Sequence, residues 1–265
     1  MLVGTSVGAV NAAYLAMHGF TPGSLKGLEQ AWHDAAQAAL LPANPLRLAA
    51  ESLLALERTH GQARPHRARI RDFLVAHGID PEIKFRDLTG PKLLVVATDL
   101  SRGDLMLYGR DPEQSVLEGL LASTAILPWV DPQEIGGRAL MNGGPISNLP
   151  IEPAISHGAT HIIALNLSDS RDINSDASEP DSLLAGLIVA VEFRQIYLEC
   201  LLARARDVPL YFLNLRFERP VPLWDFSRSA ELIEHGYEIA RRQIARWRPM
   251  QNKGDRSRSP LSPSL

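Results

Sequence analysis

The chain has 265 residues, 45% of them apolar and 22% charged, with 27 Lys and Arg against 30 Asp and Glu for a net charge of −3. That composition can bury a sizeable core, which excludes a disordered chain, a collagen-like repeat and a small disulfide scaffold. The charge balance leaves no electrostatic footprint for nucleic acid, so no nucleic-acid partner is expected.

In chain order, Met1-Leu2-Val3 has β character, and Gly4-Thr5-Ser6-Val7-Gly8 leads into Ala9 to Met17, apolar nearly all round like a helix buried against a sheet. Ser24 to Leu41 places Leu25, Leu28, Trp32, Ala35 and Ala39 at helical spacing before Pro42 and Pro45. Further helices are predicted over Leu46 to Glu57 and Arg67 to Ala76. Leu93 to Ala97 is a continuous apolar run of the kind a strand buried on both faces carries, with Leu105 to Tyr108 as a pairing partner. His161 to Leu167 and Leu210 to Leu215 complete the strands. No two-residue hairpin signal joins one of these strands to the next, so the pattern predicts an α/β fold with a mostly parallel central sheet flanked by helices. Ile233, Tyr237, Ala240, Ile244 and Trp247 recur every three or four residues and predict a docked amphipathic helix.

Two stretches have little to bury: Ser168 to Ser182, and the Ser/Pro/Arg tail from Pro249. Asp169, Asp172, Asp176 and Asp181 lack the spacing of a calcium loop. The longest strongly apolar run, Leu183 to Val191, falls well short of the ~20 residues a membrane-spanning helix needs. Trp129 and Trp224 are expected in the core rather than at a membrane. With a single cysteine, Cys200, and no visible secretory signal, the expected location is cytoplasmic.

Gly4-Thr5-Ser6-Val7-Gly8 matches GxSxG in a strand–turn–helix setting. The spacing has a steric basis: small neighbours let a sharp turn close around a strained serine whose oxygen stands above the sheet edge. The Val7 N–H and the helix N-terminus then face a developing oxyanion. Ser6 is therefore the candidate nucleophile, with Gly4, Val7 and Gly8 shaping its turn. A serine needs a base to take its proton. Of the eight histidines, His157 and His161 are four apart but Gly158 is expected to end the helix between them, and His18, His33, His60, His66, His77 and His235 carry no paired-Asp signature.

Several segments in order, Gly4-Thr5-Ser6-Val7-Gly8-Ala9, Ala97-Thr98-Asp99-Leu100, Ala122-Ser123-Thr124-Ala125, and Asn142-Gly143-Gly144 followed by Ser147-Asn148-Leu149-Pro150-Ile151, closely resemble the patatin-like phospholipase family. Trp224-Asp225-Phe226 through Gly236-Tyr237 resembles its bacterial members. The resemblance spans about residues 1 to 247, read as one acyl-hydrolase domain, with 248 to 265 as a disordered tail. It implies an α/β acyl-hydrolase fold and a Ser-Asp dyad whose aspartate, in a DGG or DGA turn, serves as base without histidine. It also implies ester hydrolysis on lipids through an acyl-enzyme, with Ser6 attacking the acyl carbonyl and no cofactor or metal required. Partners would be a lipid or acyl-ester substrate and, transiently, a membrane surface.

Two departures bear on activity. Where the family has its base aspartate, this sequence reads Asn142, followed by Gly143 and Gly144. An amide cannot accept the proton, although it can hydrogen-bond the serine, and lost general-base assistance is worth typically 10²- to 10⁴-fold. Asp99, Asp104 and Asp131 are substitutes by residue type. The second departure is that the chain starts inside the nucleophile strand, so the first strand-helix unit and its glycine-rich oxyanion loop are expected to be missing. The competing expectation is a catalytically silent lipid- or partner-binding protein that keeps the acyl pocket. Asn142-Gly143 is also a deamidation-prone pair.

Overall fold

A computed structural model describes residues 1–38, 40, 65–127, 130–168, 180–217, 221 and 225–246. The chain forms two compact units, Met1–Asn148 with Pro222–Ser229, and Leu149–Val221 with Ala230–Leu265. The helix expected over Leu46 to Glu57, most of Ser168 to Ser182, the tail, Trp129 and Trp224 lie outside the described residues.

The first unit is built on a five-stranded sheet. Its strands are β1 (Leu2–Thr5), β2 (Leu93–Asp99), β3 (Asp104–Tyr108), β4 (Gln133–Ile135) and β5 (Arg138–Asn142). Every residue of β2 is buried. Leu93, Leu94, Val95 and Val96 are each no more than 2% exposed, and each stabilises the fold by about 1.5–3 kcal/mol through the apolar surface it removes from water. Among the described residues the unit's helices are α1 (Val7–His18), α2 (Pro22–Ala35), α3 (Pro65–Ala76), α4 (Val116–Ser123) and the single turn α5 (Gly144–Ser147). One face of the sheet, through Val95, Ala97, Tyr108 and Leu140, packs with Ala9, Ala13 and Ala16 of α1 and with Leu117, Leu120 and Leu121 of α4. The alanines of α1 let its axis sit close to the strands, while α5 lies against β2 and β3.

The strand registers place the ends of the sheet. Gly4 and Thr5 pair in parallel with Val95 and Val96, while Val95 to Asp99 pair antiparallel with Tyr108 to Asp104. Ala97 to Asp99 also pair antiparallel with Asn142 to Leu140. A strand has two edges, and β3 covers one of them along Val95–Asp99. Strands β1 and β5 therefore share the other edge end to end, meeting where Val96 gives way to Ala97.

The α/β architecture with a central sheet flanked by helices is as expected, but the parallel content is lower. The sheet has one parallel pairing, β1 with β2, and three antiparallel ones. Two of these antiparallel pairings, β2 with β3 and β4 with β5, are hairpins between consecutive strands. Strands β4 and β5 are joined by Gly136-Gly137, whose φ values of 57° and 73° are those a two-residue turn demands of both residues. Two further boundaries differ. Helix α2 starts at Pro22 because Thr21 and Ser24 form a reciprocal capping box, and it ends at Ala35 with Leu25 exposed.

The second unit contains α6 (Ile151–Ser156), β6 (Ile162–Asn166), α7 (Pro180–Ala205), β7 (Leu210–Asn214) and most of α8 (Ser229–Arg246). Strands β6 and β7 pair in parallel as a two-stranded sheet. Pro150 is the N-cap of α6, and Gly158, with φ 88°, follows its end. The Glu199 carboxylate, 7% exposed on α7, accepts the Ile151 and Glu152 N–H groups at 2.6 and 2.9 Å and so satisfies the start of α6. Helix α8 is tied to β7 by Gln243, whose amide donates to Asn214 O at 2.9 Å. The predicted stripe does not point inward as a whole: Tyr237 is 62% and Ile244 48% exposed, and Trp247 is outside the described residues. No helix among the described residues is long and apolar enough to cross a membrane.

Candidate active site

Ser6 follows β1 directly and begins α1, with φ 54° and ψ −127°. Among the described residues only Asp207 shares a positive φ without being glycine. Such a conformation costs on the order of 1–3 kcal/mol and persists only where the surroundings impose it. Close packing is one such constraint. A Cβ on Gly4 would lie 2.5 Å from Gly8 O and 2.6 Å from the Ala9 backbone, so only glycine lets β1 pass beneath the first turn of α1. Ser6 is the N-cap residue, yet its side chain makes no capping hydrogen bond. Its carbonyl instead accepts from Ala9 N–H at 2.9 Å and Val10 N–H at 3.2 Å. The N–H groups of Val7 and Gly8 have no intrahelical acceptor and lie at the positive end of the helix dipole.

Asn142 ends β5 at 5% exposure, with every polar end engaged. Its backbone N–H donates to Ala125 O at 2.9 Å, and its carbonyl accepts from Thr98 Oγ1 at 2.8 Å. In the side chain, Oδ1 accepts from Gly144 N–H and Nδ2 donates to Ser123 O, both at 2.8 Å. Since Gly144 N–H can only donate, the oxygen must face it and the nitrogen must face Ser123; the amide orientation follows from its partners. Gly143 sits where a Cβ would come within 2.6 Å of Val96 O and 2.9 Å of Thr5 Cγ2. Thr5 Oγ1 in turn donates to Ser147 O at 2.7 Å. The Gly4–Gly8 turn and the Asn142–Gly144 turn thus lie side by side at one end of the sheet.

The sequence expectation that the Asn142 amide reaches the serine hydroxyl takes a different form in the structure. No hydrogen bond joins the two side chains; the Ser6 main-chain N–H and the Asn142 amide are linked instead through Ser123, a residue sequence reasoning gave no role. Ser6 N–H donates to Ser123 Oγ at 2.8 Å, and Ser123 Oγ donates to Val96 O at 2.6 Å. The only sequence signal for it is its place in Ala122-Ser123-Thr124-Ala125.

Two of the substitute carboxylates, Asp99 and Asp104, are engaged by other groups. Asp99, 2% exposed at the tip of β2, accepts from Ser101 N–H at 3.0 Å and lies 3.8 Å from Arg138 Nε. Asp104, exposed at the start of β3, accepts from Leu105 N–H at 2.7 Å. Among the described histidines, none hydrogen-bonds to Ser6: His18 meets Gly78 O, His77 meets Phe73 O and Asp34, and His157 meets Pro153 O. No group of three or more His, Cys, Asp or Glu side chains that could hold a metal converges among the described residues.

A serine of positive φ at a strand-to-helix turn thus lies beside a glycine-rich turn on the same edge of β2. A sequence model of the patatin-like phospholipase family matches residues 1–155, and the chain belongs to that family. Over 104 residues it is 32% identical to uncharacterized NTE family proteins of Mycobacterium bovis and Mycobacterium tuberculosis, a stretch covering 36% of this chain and 28% of theirs. The match thus spans little more than a quarter of the length of those curated relatives.

Proposed function

We propose that this chain is a lipid acyl hydrolase in which Ser6 is the nucleophile, acting on a lipid or acyl-ester substrate met at a membrane surface by transient contact from the cytoplasm. The observation that carries the reading is the positive φ of Ser6 at the head of α1, inside the stretch matched by the family. Ser6 Oγ adds to the acyl carbonyl while its proton leaves, and the oxyanion is received by the Val7 and Gly8 N–H groups. Collapse expels the alcohol and leaves an acyl-enzyme, which water then hydrolyses. No step calls for a metal or cofactor.

Asn142 occupies the position that the family resemblance assigns to the base, and an amide does not take up a proton there. Solvent is left to accept it, so turnover is slow by the 10²- to 10⁴-fold that general-base assistance is typically worth. A second reading, a silent binding protein that keeps the acyl pocket, is favoured by the fully engaged polar groups of Asn142. A fluorophosphonate probe separates the two. Covalent labelling of Ser6, abolished in Ser6→Ala together with p-nitrophenyl ester turnover, supports the hydrolase; an unlabelled serine in a protein that still binds a fluorescent fatty-acyl ester supports the binding protein.

A further inference from the structure

We propose that Ser123 is the positioning residue of the Ser6 turn, its hydroxyl standing in for the last rung of the β1–β2 ladder. The register begins with Leu2 N–H donating to Lys92 O at 2.8 Å and advances two residues at a time on each strand. The rung two steps further on is Ser6 N–H to Val96 O. That direct bond is replaced by an inserted hydroxyl, with Ser6 N–H donating to Ser123 Oγ at 2.8 Å and Ser123 Oγ donating to Val96 O at 2.6 Å.

The insertion has two consequences. It parts β1 from β2 by one oxygen at the point where Ser6 must leave the sheet for a positive φ, while leaving neither backbone group unpaired. It also fixes the direction of the hydroxyl: with the hydrogen spent on Val96 O, only a lone pair is left to face Ser6 N–H. Ser123 is fully buried, so in the parent chain its hydroxyl is out of reach of bulk water. Its carbonyl accepts from Asn142 Nδ2, so the same residue also ties the end of β5 to the serine turn. Because the Ser6 N–H is spoken for, the oxyanion donors left on this turn are those of Val7 and Gly8. Alanine or glycine at 123 keeps the carbonyl but loses the rung.

This inference rests on the hydrolase reading only for its kinetic arm. The first measurement is amide hydrogen exchange at Ser6 in the unmodified chain: protection of at least tenfold over an unstructured amide is expected, and an unprotected Ser6 overturns the proposal. The second compares Ser123→Ala with Leu120→Ala, a cavity in the same helix, at a temperature where both are folded. Ser123→Ala is expected to speed Ser6 exchange and slow fluorophosphonate labelling at least tenfold each, with Val95 and Val96 amides unchanged, whereas Leu120→Ala leaves the Ser6 values near those of the parent. Equal effects from the two variants would assign Ser123 to general stability and defeat the idea. Should Ser123→Ala fail to fold, the first measurement decides alone. An unlabelled parent chain with a protected Ser6 amide overturns the hydrolase reading and leaves the rung intact.

Discussion

Thr5 and Asn142 oppose consecutive residues of β2, Val96 and Ala97, on the same edge of that strand. One closes a parallel strand and the other an antiparallel one, so the two chains run head to head and turn away where they meet. Ser6 and Gly143, the next residue of each, are brought together by this geometry rather than by any bond between them.

Replacing Asn142 with aspartate sets a carboxylate oxygen against Ser123 O, where an amide nitrogen now donates at 2.8 Å. Burial and this facing carbonyl disfavour the anion, so the Asn142→Asp carboxyl has a raised pKa. A folded-state pKa above the unfolded value means that the stability is fully present below the unfolded pKa and is lost as pH rises through the folded one. Ester turnover should climb over that same window as the base ionises. Denaturant titrations and rate profiles between pH 4 and about 9 check this; a flat turnover profile, or stability that rises with pH there, contradicts it.

Gly4→Ala drives a methyl group into backbone atoms of α1 at 2.5–2.6 Å, none of which is a flexible side-chain end. Overpacking of this kind costs about 1–3 kcal/mol or more. The urea midpoint should fall, and Ser6 should lose its reactivity to a phosphonate even where the variant is folded.

Strain at Ser6 can be measured by comparing two substitutions. Alanine keeps the Cβ that opposes a φ of 54°, whereas glycine removes it. Ser6→Gly should exceed Ser6→Ala in stability by about 1 kcal/mol after the extra unfolded-chain entropy of glycine is counted. Chemical denaturation of the pair settles the order.

What the sequence revealed and what it hid follow the range of the forces involved. GxSxG and the Leu93 to Ala97 run are local patterns, and both stand where they were expected. The β4–β5 hairpin was overlooked because Gln133-Glu134-Ile135 has no apolar alternation, leaving Gly136-Gly137 as its one signal. Glu199 gave no sign of capping a helix some fifty residues earlier, and Ser123 none of bridging Val96 to Ser6. Both are side-chain to backbone bonds across long separations, which no periodicity encodes. The α8 stripe went astray because spacing predicts a face and says nothing of what covers it.

Cys200 is held at a thiol pKa pushed up to about 11, chiefly by burial and secondarily by the negative charge of Glu199. At pH 8 its reaction with a disulfide reagent should run at least tenfold slower than that of a free thiol, whose pKa is about 8.5. Glu199→Gln should speed that reaction while weakening the α6 start, as a thiol titration and a urea melt on the same variant would show.

Deamidation at Asn142-Gly143 requires the Gly143 nitrogen to attack the Asn142 side-chain carbonyl carbon and expel ammonia. The folded chain opposes this by holding both ends of the amide. Peptide mass spectrometry should find Asn142 intact after prolonged storage of native protein and converted in a urea-denatured sample; equal conversion in both would show that the fold gives no protection.

Ser6 and Ser123 are separated by 117 positions along the chain. The bond between them cannot form until β2 has been laid down as a template for both neighbours, since no local element carries them toward each other. Contacts of such sequence separation arrive late in folding. The Ser6–Ser123 bond would therefore mark the completion of the sheet rather than its start.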